Sequence, residues 1–182
     1  MHQEGAAKLN TLAIAAKWPR RIPIAVLPGD PESNPDNYER STLRGAAELK
    51  PLQVPTHKGM QLYLTNNVRK EDDFVNGMLC TAEYFCKKSK GLRVKTETGK
   101  RLMVYRWTNP HRAGSKSYYP IRPGYASTIM KFQGAGLDHV TIWLDAPGIP
   151  GAAYAGLPRV ATRNDYLLGG WLSPENFTPV TA

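Results

Sequence analysis

The chain has 182 residues, with 24 basic and 15 acidic side chains and a hydrophobic share of 41%. That balance fits one compact domain, or one domain with a small insertion, and excludes a wholly disordered chain. No apolar run approaches the ~20 residues needed to cross a bilayer. Two cysteines, Cys80 and Cys86, are too few for a disulfide scaffold or a four-thiolate zinc site.

Met1 to Glu4 shows no basic cap leading into an apolar core, so no secretory signal is expected. The expected setting is intracellular, without a membrane partner and with both thiols reduced and structural: nucleus or mitochondrion in a eukaryote, cytoplasm otherwise. The 16 glycines and 15 prolines exceed the usual combined share of about 12% and favour many short elements over a helical bundle.

Ala6, Leu9, Leu12, Ala13 and Ala16 recur at helical spacing until Trp18-Pro19 ends the pattern, which predicts a helix over 5–17. Ile22 to Leu27 carries Pro23 and reads as an edge strand or extended connection, followed by a turn-rich loop over 28–37. Residues 38–58 give no clear pattern. From Gly59 the period becomes two, with Met60, Leu62 and Leu64 alternating with Gln61, Tyr63 and Thr65. Asn76-Gly77 suits a tight turn with positive φ ahead of a second strand, Met78 to Cys86. Leu92 to Thr96 and Arg101 to Trp107 flank Glu97-Thr98-Gly99-Lys100 as a hairpin. Short strands packed this closely over 59–107 predict a small barrel or a curled sheet.

Beyond a Pro/Gly/Ser-rich connection the texture is α/β. Tyr125 to Phe132 is predicted as a short helix, and Val140 to Leu144 as a buried strand with a continuous apolar run. Ala152 to Leu157 reads as a second short helix and Tyr166 to Leu168 as a final strand. The predicted fold class is α/β, interrupted by an all-β insertion and then resumed.

The net charge of +9 is unevenly spread. From Lys87 to Arg122 there are eleven basic residues against the single acid Glu97, so this segment holds the whole surplus. Tyr105, Trp107, Tyr118 and Tyr119 are interleaved with those cations. Such a mixture suits a phosphate backbone with bases stacked on aromatic faces, and equally a solvated basic face on a hairpin.

Several chemistries are excluded. Gly99-Lys100 is followed by Arg101 and preceded by Val94 where a P-loop needs a hydroxyl and a glycine. His2, His57, His111 and His139 are isolated and show no ligand spacing, so no metal is expected. Asp72-Asp73 sits beside Lys70 and Glu71 as a solvated turn, and no Gly-x-Ser-x-Gly elbow is present.

Two segments are sharper. Ser127 to Gly134 sets Thr128 and Lys131 three residues apart on one face of the predicted helix, followed by Gln133 and Gly134. Tyr154 to Val160 ends a small apolar helix on the lone Arg159, which suits a guanidinium directed at a phosphate. A surface helix with one cation produces either pattern as well.

Lys58 to Asn67, Phe74 to Gly77, Tyr125 to Asp138 and Tyr154 to Val160, taken in this order, resemble the C-terminal part of PIF-type and RecD-type DNA helicases of superfamily one. Ala7 to Asn10 and Leu27 to Asp30 are similar to the family's run-in, so the resemblance spans nearly the whole chain. It implies a partial second RecA-like domain over 1–58 and 108–182 with an SH3-like barrel inserted over 59–107. It also implies that Arg159 is an arginine finger, that Gln133 and Gly134 with Arg159 face a nucleotide, and that Thr128 and Lys131 touch nucleic acid or couple it to the nucleotide site. Arg93, Lys95, Arg106 and Trp107 are then expected beside single-stranded DNA.

The chain departs from the family at Met130, Phe132 and Gly136, where polar residues are usual, and at Gly156 and Pro158 just before the finger. Proline there removes a backbone donor and, with glycine, weakens the helix that aims Arg159. The first RecA-like domain with its P-loop is expected to lie outside these 182 residues, so ATP and Mg are expected as cofactors only where that domain is supplied in cis or in trans, and no hydrolysis is expected from the chain alone. The alternatives are a non-enzymatic SH3-like module on a degenerate helicase scaffold, and the C-terminal part of a mobile-element replication helicase.

Overall fold

In a computed structural model, residues 3–37, 49–110, 116–128, 139–144, 162–171 and 173–177 are described. Two compact units are formed, one by Ala7–Ala126 and the other by Met1–Ala6 with Ser127–Ala182.

The helix α1 runs over Gln3–Lys17 and stops where Trp18-Pro19 predicted. Its inward side differs from the predicted stripe: Ile14 packs against the core of the larger unit, whereas Leu12 is 65% exposed. Asn10, a polar residue, is buried in its place.

Strands β1 (Ala25–Gly29) and β2 (Leu52–Thr56) form an antiparallel pair. The predicted strand over 22–27 therefore begins and ends later, and Ile22 is 92% exposed. β2 was hidden in sequence by Pro51 and Pro55, since proline argues against a strand flanked on both sides. The structure resolves the conflict by keeping this ladder two-stranded. Pro28 has no N–H to give, and its carbonyl instead accepts from the Tyr119 amide at 2.7 Å.

The main sheet contains β3 (Gln61–Leu64), β4 (Leu79–Cys86), β5 (Gly91–Thr96), β6 (Arg101–Val104) and β7 (Ile121–Pro123). Their order is β6-β5-β4-β3-β7, all antiparallel. Met60, Leu62 and Leu64 are fully buried, as their alternation predicted. A one-residue slip would expose all three, at about 1.5–3 kcal/mol each, so the register of β3 is strongly fixed. Val54, Leu92, Val94, Val104 and Ile121 complete the same core.

Of the two expected forms, barrel or curled sheet, the ladders show an open sheet with β6 and β7 at its edges. A single bridge, Trp107 to Tyr118, joins the chain leaving β6 to the chain approaching β7.

The turns follow local chemistry. Gly77 and Gly99 both take φ of +89°, a conformation that a side chain would strain. Asp73, read from sequence as a solvated turn residue, pins the hairpin between β5 and β6. Its carboxylate accepts from the Thr98 hydroxyl at 2.7 Å and pairs with Lys100 at 3.3 Å, and these partners hold its pKa below the usual value.

In the other unit, β8 (Val140–Leu144) and β9 (Tyr166–Gly170) pair in parallel. Ile142 and Leu144 are buried, but Trp143 is 41% exposed, so β8 alternates and is not buried throughout as predicted. Thr162 caps the turn Arg163–Asp165 that leads into β9, its hydroxyl accepting from the Asn164 amide.

Candidate nucleic-acid interface

Alternation along β5 turns Leu92, Val94 and Thr96 into the core and leaves Arg93 and Lys95 on the outer face of the sheet. Lys95 stands opposite Thr81 of β4 and Arg101 of β6, and Arg93 stands opposite Tyr84 and Met103. Tyr84 reaches this face because β4 carries a bulge between Ala82 and Tyr84. The extra residue lets both Glu83 and Tyr84 face outward while Phe85 returns to the core, a re-aiming that bulges commonly produce.

Gly91 completes the face. A Cβ there would lie 2.5 Å from the Met103 methyl carbon and 2.8 Å from a Tyr105 ring carbon, so the missing side chain makes room for both. Tyr84 and Tyr105 remain 49% and 50% exposed.

Glu83 lies between two guanidinium groups. Arg101 Nε donates to Oε1 at 3.0 Å, and Arg93 Nε lies 3.7 Å from Oε2. One carboxylate against Arg93, Lys95 and Arg101 leaves the face cationic. Exposed pairs of this kind add little to stability, about 0–1 kcal/mol, so their placement bears more on what the face attracts than on the fold.

Arg106 and Trp107 lie elsewhere, past the end of β6. Arg106 donates to the Ser117 hydroxyl at 3.4 Å and covers the Tyr119 ring at 5.9 Å. Trp107 meets Tyr118 edge to face, with ring centroids 5.6 Å apart. The strand predicted to continue to Trp107 ends at Val104. The residues expected beside DNA thus fall into two groups, Arg93 with Lys95 and Arg106 with Trp107. Arg122, the last cation of the basic window, sits over the Tyr63 ring at 5.0 Å.

Thr128 is half-buried, and Tyr125 to Thr128 is not helical, which corrects the helix predicted to start there. The cause is Asn10. Its Oδ1 accepts from the amides of Tyr125 and Ala126, both at 3.0 Å, and its Nδ2 donates to the Ala126 carbonyl at 2.9 Å. The Tyr125 hydroxyl in turn accepts from the Gln61 amide at 3.0 Å. Lys131, Gln133, Gly134 and Arg159 lie outside the described residues, as do the remainder of that helix and the one predicted over 152–157.

Sequence reasoning missed Asn10, Glu83 and Tyr84. Glu83 and Tyr84 did leave a signal, since two consecutive residues separate the inward-facing Ala82 and Phe85 where strict alternation allows one. Asn10 left none.

Neither thiol forms a disulfide. Burial pushes the Cys80 thiol up to about 12, whereas hydrogen bonds from Ser89 draw the Cys86 thiol down. Among the described residues no group of three or more His, Cys, Asp or Glu side chains is placed to hold a metal, and no helix is long and apolar enough to cross a membrane.

No family model matches the chain, and no curated protein matches it. Solved structures do. Bacteroides Pif1 bound to ssDNA superposes with a TM-score of 0.67 at 19% identity, over 98% of this chain and 41% of that one. The Bacteroides Pif1 helicase in complex with ADP-AlF3 and ssDNA gives 0.67 at 18% identity, with the same coverage. The Pif1 helicase of Candida albicans gives 0.56 at 19% identity, over 81% of this chain and 39% of that one. The chain thus spans about two fifths of the Pif1 chains it matches and shares their fold in that part.

Proposed function

We propose that this chain acts as the C-terminal part of an ATP-dependent DNA helicase and binds single-stranded DNA. The observation that carries the reading is the fold match over 98% of the chain to a Pif1 bound to ssDNA, joined to the concentration of positive charge between Lys87 and Arg122. In this reading 1–58 and 108–182 belong to the second RecA-like domain. Residues 59–107, which supply β3 to β6, are its SH3-like insertion, and β7 from the 108–182 segment adds a strand to that sheet. The Trp107 to Tyr118 bridge and the 2.6 Å bond from the Tyr119 hydroxyl to the Lys90 carbonyl support the SH3-like reading, because both draw the chain after β6 towards closure.

Arg159 then serves as the arginine finger, offsetting charge on a transferring phosphoryl group. Gln133 and Gly134 face the nucleotide, and Thr128 and Lys131 face the DNA backbone. The sequence has no Walker A motif, so ATP and Mg enter only with a segment that carries one, in cis or in trans.

Fluorescence anisotropy with a labelled oligothymidylate tests the reading. Affinity should fall steeply with salt, since each neutralised phosphate contributes a slope of about −0.7 on single strands. Charge reversal at Arg93, Lys95 and Arg106 together should weaken binding at least about ten-fold and flatten that slope. Binding that ignores both salt and these changes refutes it. Helicase-rate ATP turnover by the chain alone would contradict the division of the nucleotide site.

A further inference from the structure

The outer face of the β4-β5-β6 sheet carries more than charge. Two guanidinium groups, from Arg93 and Arg101, converge on one oxyanion, and that oxyanion is the carboxylate of Glu83. Tyr84 stands opposite Arg93, in one row with Met103, and Tyr105 lies next along the face over Gly91, each ring with half its surface open. A planar guanidinium binds carboxylate and phosphate with the same donor geometry, so a pair arranged for one suits the other. Exposed aromatic rings beside such a pair are what an unpaired base stacks on.

We infer that this face is a self-masked site for single-stranded DNA: Arg93 and Arg101 take one backbone phosphate, Tyr84 and Tyr105 take the adjoining bases, and Glu83 occupies the phosphate position until DNA displaces it. The inference rests on the DNA-binding reading above and places a subsite for it. Three observations favour a nucleic-acid occupant over another partner. The face has a cationic surplus even with Glu83 in place. Arg93 stands between Tyr84 and Met103 in the register, so a cation interrupts the apolar surface of the face. Tyr84 is brought there by a bulge, since strict alternation without it would leave Glu83 outside but keep Tyr84 inside and remove half of the stacking surface.

The masking carboxylate makes the test a gain of affinity, which misfolding cannot imitate. Using the full chain and a labelled oligothymidylate in low salt, Glu83→Gln should bind about three- to ten-fold more tightly than the parent, and its salt slope should steepen by about 0.7, one phosphate's worth. Adding Arg93→Gln and Arg101→Gln to Glu83→Gln should abolish that gain. Tyr105→Leu should weaken binding about five-fold or more on the oligothymidylate and have no effect on an oligomer of abasic sugars, which keeps the phosphates but offers nothing to stack.

If the parent binds and Glu83→Gln binds no more tightly, the masked site is overturned and the wider reading stands. If neither binds at low salt, both fall. A gain that survives removal of both arginines also overturns the site, because the effect would then be one of net charge alone.

Discussion

The antiparallel sheet and the parallel pair obtain their order in different ways. From β3 to β6 each strand is followed by its own hydrogen-bonded neighbour, and one side of the sheet buries a continuous core. The β4–β5 and β5–β6 connections are turns with Lys90 and Gly99 at positive φ, and the longer β3–β4 connection re-enters the sheet through Gly77 at positive φ. β8 and β9 pair across the long connection between Leu144 and Tyr166, and their buried cluster among the described residues is Ile142 and Leu144 with Val140 and Leu168 against them. The first region is specified by local alternation and turn chemistry. The second depends on a non-local, parallel match, whose longer connection carries a larger closure entropy.

The contrast can be broken from the sheet side first. Leu62→Ala removes a fully buried side chain from the centre of the core and is expected to cost about 2–5 kcal/mol, read as a lower urea midpoint. An unchanged midpoint would mean that the sheet does not set the stability of its unit.

Gly170→Val strikes the other region. Gly170 sits at φ +88°, and a Cβ there would collide with the Leu144 carbonyl. The strain of a branched residue in that conformation, at least about 1–2 kcal/mol, should open the pair. Amide exchange at Trp171, which donates to the Leu144 carbonyl at 2.6 Å, should accelerate while the amides of β4 and β5 stay protected. Loss of protection in both regions would join what the comparison separates.

Asn10→Leu leaves the Tyr125 and Ala126 amides without their acceptor, at about 1–3 kcal/mol for buried groups left unpaired. Faster exchange confined to those amides and to Gln61, whose amide donates to the Tyr125 hydroxyl, is the expected result. A variant of unchanged stability and exchange would contradict it.

The smallest effect is a pH dependence. His57 stacks on Trp18 at 5.1 Å, with the rings 6° from parallel, and burial with the Arg21 charge lowers its pKa below 6.5. The unfolded chain therefore takes up its proton first as pH falls. The stabilisation is complete above about 6.5 and is lost as pH drops through the lower folded value. His57→Phe should flatten the thermal-midpoint profile in that window, and a parent profile that is already flat there would refute the assignment.

Much of the sheet could be read in advance. Met60, Leu62 and Leu64 announced β3, Gly99 announced the β5–β6 turn, and Trp18-Pro19 announced the end of α1, because each depends on residues within a few positions. β2 could not be read because Pro51 and Pro55 speak against a strand, and only the two-stranded pairing with β1 tolerates them. The candidate site was half legible. Arg93 and Lys95 stood out by charge, but nothing separated them from Arg106, whose position over Tyr119 follows from the path of the chain beyond β6.

What the sequence by itself determined is the set of local facts: the alternating strands, the turns, and a cationic segment from Lys87 to Arg122, all consequences of periodicity, backbone freedom and charge. Tertiary structure alone decided that β7 lies beside β3, that a bulge turns Tyr84 to the same face as Glu83 and Arg93, and that Asn10 binds the backbone of Tyr125 and Ala126. Each of these is a pairing between residues far apart or a shift of register by one, and the physical reason they escape a reading of the chain is that their energy belongs to two partners at once.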